Sequence, residues 1–176
     1  KLLNQENSNY NCLIKNTNKS KITVTSTFPI YPPQGGGQAR IFHLYRNLAA
    51  DREVDIISFT NTDQPRYEGY ISENLKEIRI PKSKKHQEAE WELEKKAKIP
   101  VSDIGMIHLF SQTPEYEEKL KESINSSQLA IISHPYLYYA IKKYLDGKPF
   151  IYEAQDVEAV IKEQMLPDSR IKKELI

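Results

Sequence analysis

Residues 21–50 read KITVTSTFPIYPPQGGGQARIFHLYRNLAA, and this stretch decides the fold. Ile22 and Val24 are typical of a short apolar strand, and the prolines that follow end it. Apolar side chains then recur at helical spacing and predict an amphipathic helix that starts at Gln38 or Ala39. A strand, a glycine-bearing loop and a helix in this order indicate a ligand site.

Three consecutive glycines, Gly35, Gly36 and Gly37, lie where the strand's loop meets the helix. Glycine lets another molecule approach the backbone, and the first N–H groups of a helix are unpaired and carry partial positive charge. These properties suit a phosphate or a sugar hydroxyl. A flexible surface turn is the alternative interpretation.

The composition indicates a medium-sized globular domain without a strong charge. At 176 residues the chain can bury roughly 70% of its unfolded surface. Lys and Arg total 25 against 24 Asp and Glu, so the net charge of +1 does not indicate nucleic acid as a partner. The single cysteine, Cys12, has no partner for an internal disulfide, which fits a reducing compartment.

The ends of the chain differ from its middle. Residues 1–20 are rich in asparagine and predict a linker or tail, and residues 21–176 predict the domain itself. The chain starts at Lys1 and ends within a helix-like pattern, so we expect a truncated piece of a longer protein. We find no signal-peptide pattern and no apolar run of roughly 18 residues, and we expect a cytoplasmic protein.

Strands and helices alternate along most of the domain. Residues 104–110 fit a helix or a strand, and we favour a helix. The predicted strands are 21–27, 54–59, 76–80, 129–133 and 150–152, and the predicted helices are 38–50, 88–98, 104–110, 136–145, 157–166 and one starting at Pro114.

This alternation predicts an α/β fold: a Rossmann-like open parallel sheet with helices on both faces. In such sheets the ligand crevice lies at the carboxyl ends of the strands. Three loops of this chain are predicted at that edge, at residues 29–37, 133–138 and 153–158.

Arg40 and His134 are candidate contacts for a ligand at this edge. Arg40 lies one turn into the first helix, where its guanidinium can pair with phosphate oxygens. A solvated arginine is the alternative. His134 follows an apolar strand and precedes Pro135, so its imidazole can project into the crevice and donate to a sugar hydroxyl or a diphosphate oxygen. A turn histidine held by local backbone is the alternative.

Three carboxylates follow the last strand, at Glu153, Asp156 and Glu158. They can orient the hydroxyls of a substrate. For Asp156 we favour a structural role as the N-cap of the helix that begins near Val157.

The other sequence patterns give weaker indications of a functional site. Gly-x-Gly-x-x-Gly dinucleotide binding is disfavoured because Arg40 would stand in the third glycine position, and no P-loop lysine follows the glycines. The remaining histidines have no metal-ligand partner at usable spacing, so no metal site is predicted. The charged run Lys82 to Lys85 predicts a solvated face, continued by an exposed helix. The tyrosines of 136–144 predict core or interface packing.

Together these motifs resemble the amino-terminal half of family 4 glycosyltransferases, which have the GT-B architecture. The likeness covers about residues 20–170. Its motifs are Phe28-Pro29 with Gly35 to Arg40, Ser133-His134-Pro135, and Tyr152-Glu153-Ala154-Gln155-Asp156-Val157-Glu158.

The resemblance implies an acceptor-side domain facing an absent second domain that holds most of the nucleotide-sugar. It also implies a transfer that retains anomeric configuration and usually needs no metal or other cofactor. His134 would then contact the transferring sugar, the glycines and Arg40 the diphosphate, and the three carboxylates the acceptor. The expected partners are a nucleotide-sugar donor and a carbohydrate or lipid-linked acceptor, the latter with peripheral membrane contact.

Two other functions stay open from the sequence. One is a non-catalytic carbohydrate- or partner-binding domain that keeps the fold. The other is a sugar-nucleotide epimerase, which shares the two-domain cleft. Under the glycosyltransferase interpretation, we expect residues 1–176 alone to be inactive.

Overall fold

The computed structural model describes residues 19–166, which form a six-stranded sheet with helices on both faces. The α/β fold class predicted from the sequence is confirmed. The strands are β1 (Lys21–Ser26), β2 (Glu53–Thr60), β3 (Tyr67–Ser72), β4 (Leu75–Pro81), β5 (Leu129–Ile132) and β6 (Phe150–Tyr152). The helices are α1 (Gly36–Leu48), α2 (Lys84–Ala97), α3 (Met106–Leu109), α4 (Pro114–Ser126), α5 (Tyr138–Leu145) and α6 (Glu158–Met165), with 3-10 turns at Phe110–Gln112 and Pro135–Leu137.

The strand order is β3-β4-β2-β1-β5-β6, and β1 lies at the centre. β1 pairs in parallel with β2 and β5, so that Val24 lies opposite Ile56 on one side and Ile131 on the other. Parallel pairs β2/β4 and β5/β6 continue the sheet outward. The carboxyl ends of five strands therefore meet at one edge, as the alternating pattern predicts.

β3 departs from the predicted all-parallel sheet. It runs antiparallel to β4 at the outer edge, with Tyr67 opposite Arg79. The sequence did not predict this strand, because Glu68 and Gly69 interrupt its apolar pattern. An edge strand that is largely exposed needs little apolar surface, so hydrophobic periodicity detects it poorly.

Two apolar cores lie on opposite faces of the sheet. On one face α1 buries Ile41, Phe42 and Tyr45 against β1 and β2. On the other face α4 and α5 bury residues such as Leu120 and Ile141 against β2, β4 and β5. Both cores hold the same central strands, so they fix the loops at the carboxyl edge from both sides.

The charged run after β4 is not a solvated face throughout. Lys82 is only 5% exposed and pairs with Glu90, while Lys84 and Lys85 are exposed. α2 also buries His86 and Gln87. The prediction of a fully solvated face was therefore wrong for Lys82, because a buried partner eight residues away compensates its charge.

Several smaller predictions can be compared with the structure. Residues 104–110 do contain a helix, α3, followed by a 3-10 turn. The first helix begins at Gly36, two residues before the predicted start. The predicted tail lies almost wholly outside the described residues, as does the end of the chain after Leu166. Within residues 19–166, every helix falls short of the length and apolar character that crossing a membrane requires.

Candidate functional site

The glycine loop is held in place by Gln38 in the first turn of α1. Its Oε1 accepts hydrogen bonds from the N–H groups of Gln34 at 2.8 Å and Gly35 at 3.1 Å. Its Nε2 donates to the carbonyl of Pro29 at 2.8 Å. Gly35 is the N-cap, so the first helical N–H groups belong to Gly36 and Gly37. The helix start is thus ordered with its partial positive charge at the sheet edge.

A cleft of about 430 Å³ opens beside this helix start, at the carboxyl ends of β1, β5 and β6. Five of the residues proposed from the sequence line it: Gly35, Gly37, His134, Asp156 and Glu158. The glycine loop and His134 therefore share one hollow, although almost a hundred positions separate them in the chain. We call this hollow the glycine cleft.

His134 is 6% exposed and is the second residue after the end of β5. Its imidazole packs edge-on against the Phe28 ring, with the ring centroids 5.2 Å apart. Its Nδ1 has no hydrogen-bond partner among residues 19–166. Burial lowers the pKa of His134, and Glu158 and Asp103 partly oppose this effect. The neutral imidazole has one nitrogen that donates and one that accepts, as a sugar hydroxyl requires.

Glu158 is oriented by a tyrosine from the neighbouring loop. The Tyr136 hydroxyl donates to Glu158 Oε2 at 2.6 Å. Burial and this hydrogen bond raise the pKa of Tyr136, so the phenol stays protonated. A second pair in the cleft joins Lys162 Nζ to Asp103 Oδ2 at 2.6 Å. The cleft therefore presents fixed carboxylates near a single paired ammonium among its lining residues.

Arg40 and Glu153 lie outside the lining of the glycine cleft and contact each other. The Arg40 Nε donates to Glu153 Oε1 at 3.1 Å, and this carboxylate is 14% exposed. The guanidinium of Arg40 is half-exposed and also reaches the Ala154 carbonyl. The charges proposed for a ligand thus neutralise each other, and the pair ties α1 to the loop after β6.

Gly36 differs from Gly35 and Gly37 in that it does not line the glycine cleft. A Cβ added at Gly36 would meet no heavy atom of the described residues within 4 Å. A Cβ at Gly37 would lie 3.4 Å from Gln155 Oε1 and 3.6 Å from Phe28 Cζ. A methyl group at Gly37 would therefore fit in ordinary van der Waals contact, whereas a larger side chain would take up space between Phe28 and Gln155.

The capping role favoured for Asp156 was wrong. α6 begins at Glu158, its N-cap is Val157, and no side chain caps it. The helix starts later than its pattern suggests, which leaves Asp156 exposed at the rim of the cleft. Its carboxylate is therefore available there to a ligand.

Several lining residues were not found from the sequence. Phe28 and Gln38 lie within the resemblance motifs, but neither had been assigned a role. Asp103 and Lys162 come from segments far apart in the chain, and only their 2.6 Å ion pair shows that they meet. No sequence spacing could have indicated that contact.

An apolar hollow of about 410 Å³ adjoins the glycine cleft and shares Glu158 and Lys162 with it. Tyr136 is buried beside it, whereas Tyr138 and Tyr139 are exposed along its wall. The tyrosines thus divide between core packing and an open apolar surface.

The glycine cleft offers two kinds of polar contact. Helix-start N–H groups can bind an anion, and carboxylates and a neutral imidazole can bind hydroxyls. Among the described residues, no group of three or more His, Cys, Asp or Glu is arranged to hold a metal ion. The geometry suits a polyhydroxylated ligand with one anionic group next to Gly37.

No protein-family model matches the chain, and no curated protein matches it significantly. Among solved structures, a trehalose-6-phosphate structure from E. coli bound with UDP-2-fluoro glucose aligns with a TM-score of 0.43 and 13% identity. That alignment covers 76% of this chain and 32% of the other, so this chain spans about a third of its length.

A sucrose-phosphate synthase structure from Thermosynechococcus elongatus aligns with a TM-score of 0.26 and 14% identity, over 88% of this chain and 98% of the other. At these identities the likeness concerns the α/β fold alone. Because both TM-scores are low, we infer nothing about function from the two alignments.

Proposed function

We propose that the chain is the acceptor-side domain of a retaining glycosyltransferase, which transfers a sugar from a nucleotide-sugar to a hydroxyl acceptor. One observation supports the proposal most: the start of α1, the buried His134 and the carboxylates of Asp156 and Glu158 line the same cleft. Each group has the polarity that one part of the reaction needs.

In the proposed reaction the bond between the anomeric carbon and the diphosphate oxygen breaks, and a bond to the acceptor oxygen forms as the acceptor hydroxyl passes its proton to the departing diphosphate. Negative charge grows on the diphosphate. The N–H group of Gly37, in the first turn of α1, would stabilise that charge. A helix end contributes about 0.3–1 kcal/mol when exposed and up to about 2 kcal/mol when partly buried.

The carboxylates limit where a diphosphate can bind in the glycine cleft. Asp156 and Glu158 repel anions, and Asp103 neutralises Lys162, so the helix start is the favoured place for the anionic group. The same carboxylates accept hydrogen bonds from hydroxyls, and His134 would contact a hydroxyl of the transferring sugar. This division fits a domain that binds mainly the acceptor, with a second domain contacting most of the nucleotide. The chain alone would then show no turnover.

The test uses the full-length protein that contains these residues. Transfer is measured with a panel of UDP-, GDP- and ADP-sugars for the unchanged protein, His134→Ala and Gly37→Val. Loss of the imidazole removes a contact to the sugar, and the valine methyls would fill the cleft next to Phe28 and Gln155. We expect each variant to lower kcat/KM by about 100-fold or more, a loss of about 2.7 kcal/mol.

Asn47→Ala is the matched control, because Asn47 is exposed on the same helix as Gly37 and away from the cleft lining. It should transfer at the normal rate, and thermal melts should show that all variants fold. Normal rates in both His134→Ala and Gly37→Val would contradict the site. Product analysis separates a glycoside from an epimerised nucleotide-sugar.

A further inference from the structure

A third hollow, of about 320 Å³, lies on the opposite side of Phe28 from the glycine cleft. It opens at the carboxyl ends of β1, β2 and β4 and is closed on one side by α2. The residues that carry its chemistry are Thr27, Asn61, Lys82, Glu90, Trp91 and Glu94. We call it the Trp91 pocket.

The aromatic wall of this pocket is exposed. Trp91 is the single tryptophan of the chain, and 58% of its surface is accessible. An indole has a flat apolar face, and burying it against a ligand removes a large apolar area from water. A pyranose ring offers a matching apolar face of C–H groups.

The floor of the pocket holds a carboxylate in a fixed orientation. Both oxygens of Glu90 contact Lys82 Nζ, at 2.7 and 2.6 Å, and Gln87 Nε2 donates to Glu90 Oε1 at 3.3 Å. All three side chains are at most 5% exposed. A buried ion pair costs desolvation that an apolar pair would avoid. Ligand binding by the oriented Glu90 carboxylate would explain why this ion pair lies beside an open pocket.

Thr27 supplies an independent indication of a ligand. It is 6% exposed and lines the pocket, yet its Oγ1 has no hydrogen-bond partner among residues 19–166. A buried hydroxyl without a partner costs roughly 1–3 kcal/mol. A ligand hydroxyl in the pocket would satisfy it if the Thr27 side chain turned toward the pocket, because the Oγ1 itself is covered in this structure.

The charges of the pocket favour a neutral ligand over an anion. Glu90 neutralises Lys82, and Glu94 adds a negative charge on the next turn of α2. A phosphate or a nucleotide would meet this carboxylate without a free cation among the lining residues. Asn61, which is exposed at the rim, offers both a donor and an acceptor.

From these observations we propose that the Trp91 pocket binds a neutral saccharide, with one ring stacked on Trp91 and its hydroxyls bonded to Asn61, Glu90 and Thr27. Phe28 lines both hollows, so a saccharide in the pocket would extend toward the glycine cleft. Saccharide binding itself is independent of sugar transfer. Its use as the acceptor rests on the proposed glycosyltransferase function.

Fluorescence of Trp91 in the chain of residues 1–176 gives a direct test, because Trp91 is the single tryptophan of these residues. Maltotriose, cellotriose and N-acetylated chitotriose, all neutral, are each titrated to about 10 mM, ten times a Kd of about 1 mM. We expect at least one trisaccharide to change the emission in a saturable manner. No response to any of the three, or a response to uridine alone, would overturn the proposal.

Variants then locate the binding, with saturation-transfer NMR on the saccharide as the readout. Trp91→Ala should weaken binding about tenfold, and Trp91→Phe should retain part of the affinity because a smaller ring remains. Asn61→Ala should weaken it by a smaller factor. The control is Tyr70→Ala, which removes another exposed aromatic ring, on β3. Equal affinity in Trp91→Ala and Tyr70→Ala would overturn the assignment.

The two proposals fail separately. Asp156→Asn should leave the Trp91 response intact, because Asp156 is exposed at the rim of the glycine cleft and does not line the Trp91 pocket. A Trp91 response without transferase activity in the full-length protein would contradict the proposed function alone. Transfer without any Trp91 response would contradict the saccharide pocket alone.

Discussion

The two hollows beside Phe28 are built in different ways. The glycine cleft depends on backbone, since it forms at a helix start where Gly37 has no side chain. The Trp91 pocket depends on side chains, with a buried ion pair as its floor and an exposed indole as its wall. A site made by backbone follows from local sequence, whereas a site made by side chains depends on distant segments meeting.

The two regions also differ in how far their ion pairs are exposed to water. Lys82 and Glu90, in the Trp91 pocket, have side chains 5% exposed. Arg40 and Glu153, beside the glycine cleft, have side chains 53% and 14% exposed. Water screens the second pair and hardly reaches the first. The first pair should therefore dominate the stability of this sheet edge, and three predictions test that contrast.

The largest effect is expected for Lys82→Ala. Removing the ammonium leaves Glu90 as an uncompensated charge in a buried site, which costs about 3–5 kcal/mol of unfolding free energy. Urea denaturation at neutral pH measures this loss. The double variant Lys82→Met with Glu90→Met is the matched control, because two apolar side chains of similar length remove both charges together.

We expect the double variant to be much more stable than Lys82→Ala and to lie within about 1–2 kcal/mol of the unchanged protein. If Lys82→Ala lost less than about 1 kcal/mol, the contrast between the two regions would disappear. Water would then have to reach Glu90 in the folded state.

Each of the two regions contains a buried histidine with a lowered pKa: His86 on α2, next to the Trp91 pocket, and His134 in the glycine cleft. Burial lowers the pKa of His86 to about 4, and the nearby charge of Lys82 adds to the effect. Burial also lowers the pKa of His134, but Glu158 and Asp103 oppose it there. His86 is fully buried, and its Nδ1 lies 2.8 Å from Thr113 Oγ1. Protonation should therefore destabilise the fold mainly through His86.

The sign of the pH dependence follows from the depressed pKa of His86. His86 takes up a proton with a pKa of about 6.5 in the unfolded chain and only near 4 in the folded chain. Above pH 6.5 this histidine therefore does not lower the unfolding free energy, and between pH 6.5 and about pH 4 the unfolding free energy falls as the pH decreases. The expected loss is about 3 kcal/mol. Urea denaturation from pH 7 to about pH 4 measures it, with His86→Gln as the variant.

His86→Gln keeps a polar group near Thr113 and cannot be protonated in this range. Its stability should therefore fall much less between pH 7 and about pH 4 than that of the unchanged protein. Parallel curves for the two proteins would show that another group carries the acid sensitivity.

The fold follows from the sequence wherever a pattern is local. The apolar run of β5 and the helical spacing in α1 predict their elements closely, because burial of one face or both leaves a period in the sequence. The loop of His134 was predicted at the carboxyl edge of the sheet, and the structure adds that β1 and β5 are neighbouring parallel strands. Strand ends that share an edge bring their loops together.

What the sequence did not predict depends on contacts between distant segments. Lys82 was predicted to be solvated like the lysines that follow it, and only the structure shows that it is buried beside Glu90. Arg40 looked like a free cation until Glu153, more than a hundred residues away, was seen to pair with it. Trp91 lies on the helix predicted as exposed, and only the structure shows that it lines a pocket. None of these contacts produces a periodic pattern of apolar residues in the sequence.

The smallest effect is expected for Arg40→Ala, which should change the unfolding free energy by about 0–1 kcal/mol because the guanidinium is half-exposed. A double-mutant cycle with Glu153→Gln, followed by urea denaturation, isolates the pair itself. A coupling energy as large as that of a buried pair would mean that Glu153, whose Oε2 has no partner among residues 19–166, depends on Arg40 for compensation. The loop after β6 would then be fixed by charge rather than by packing, and the contrast between the two regions would fail.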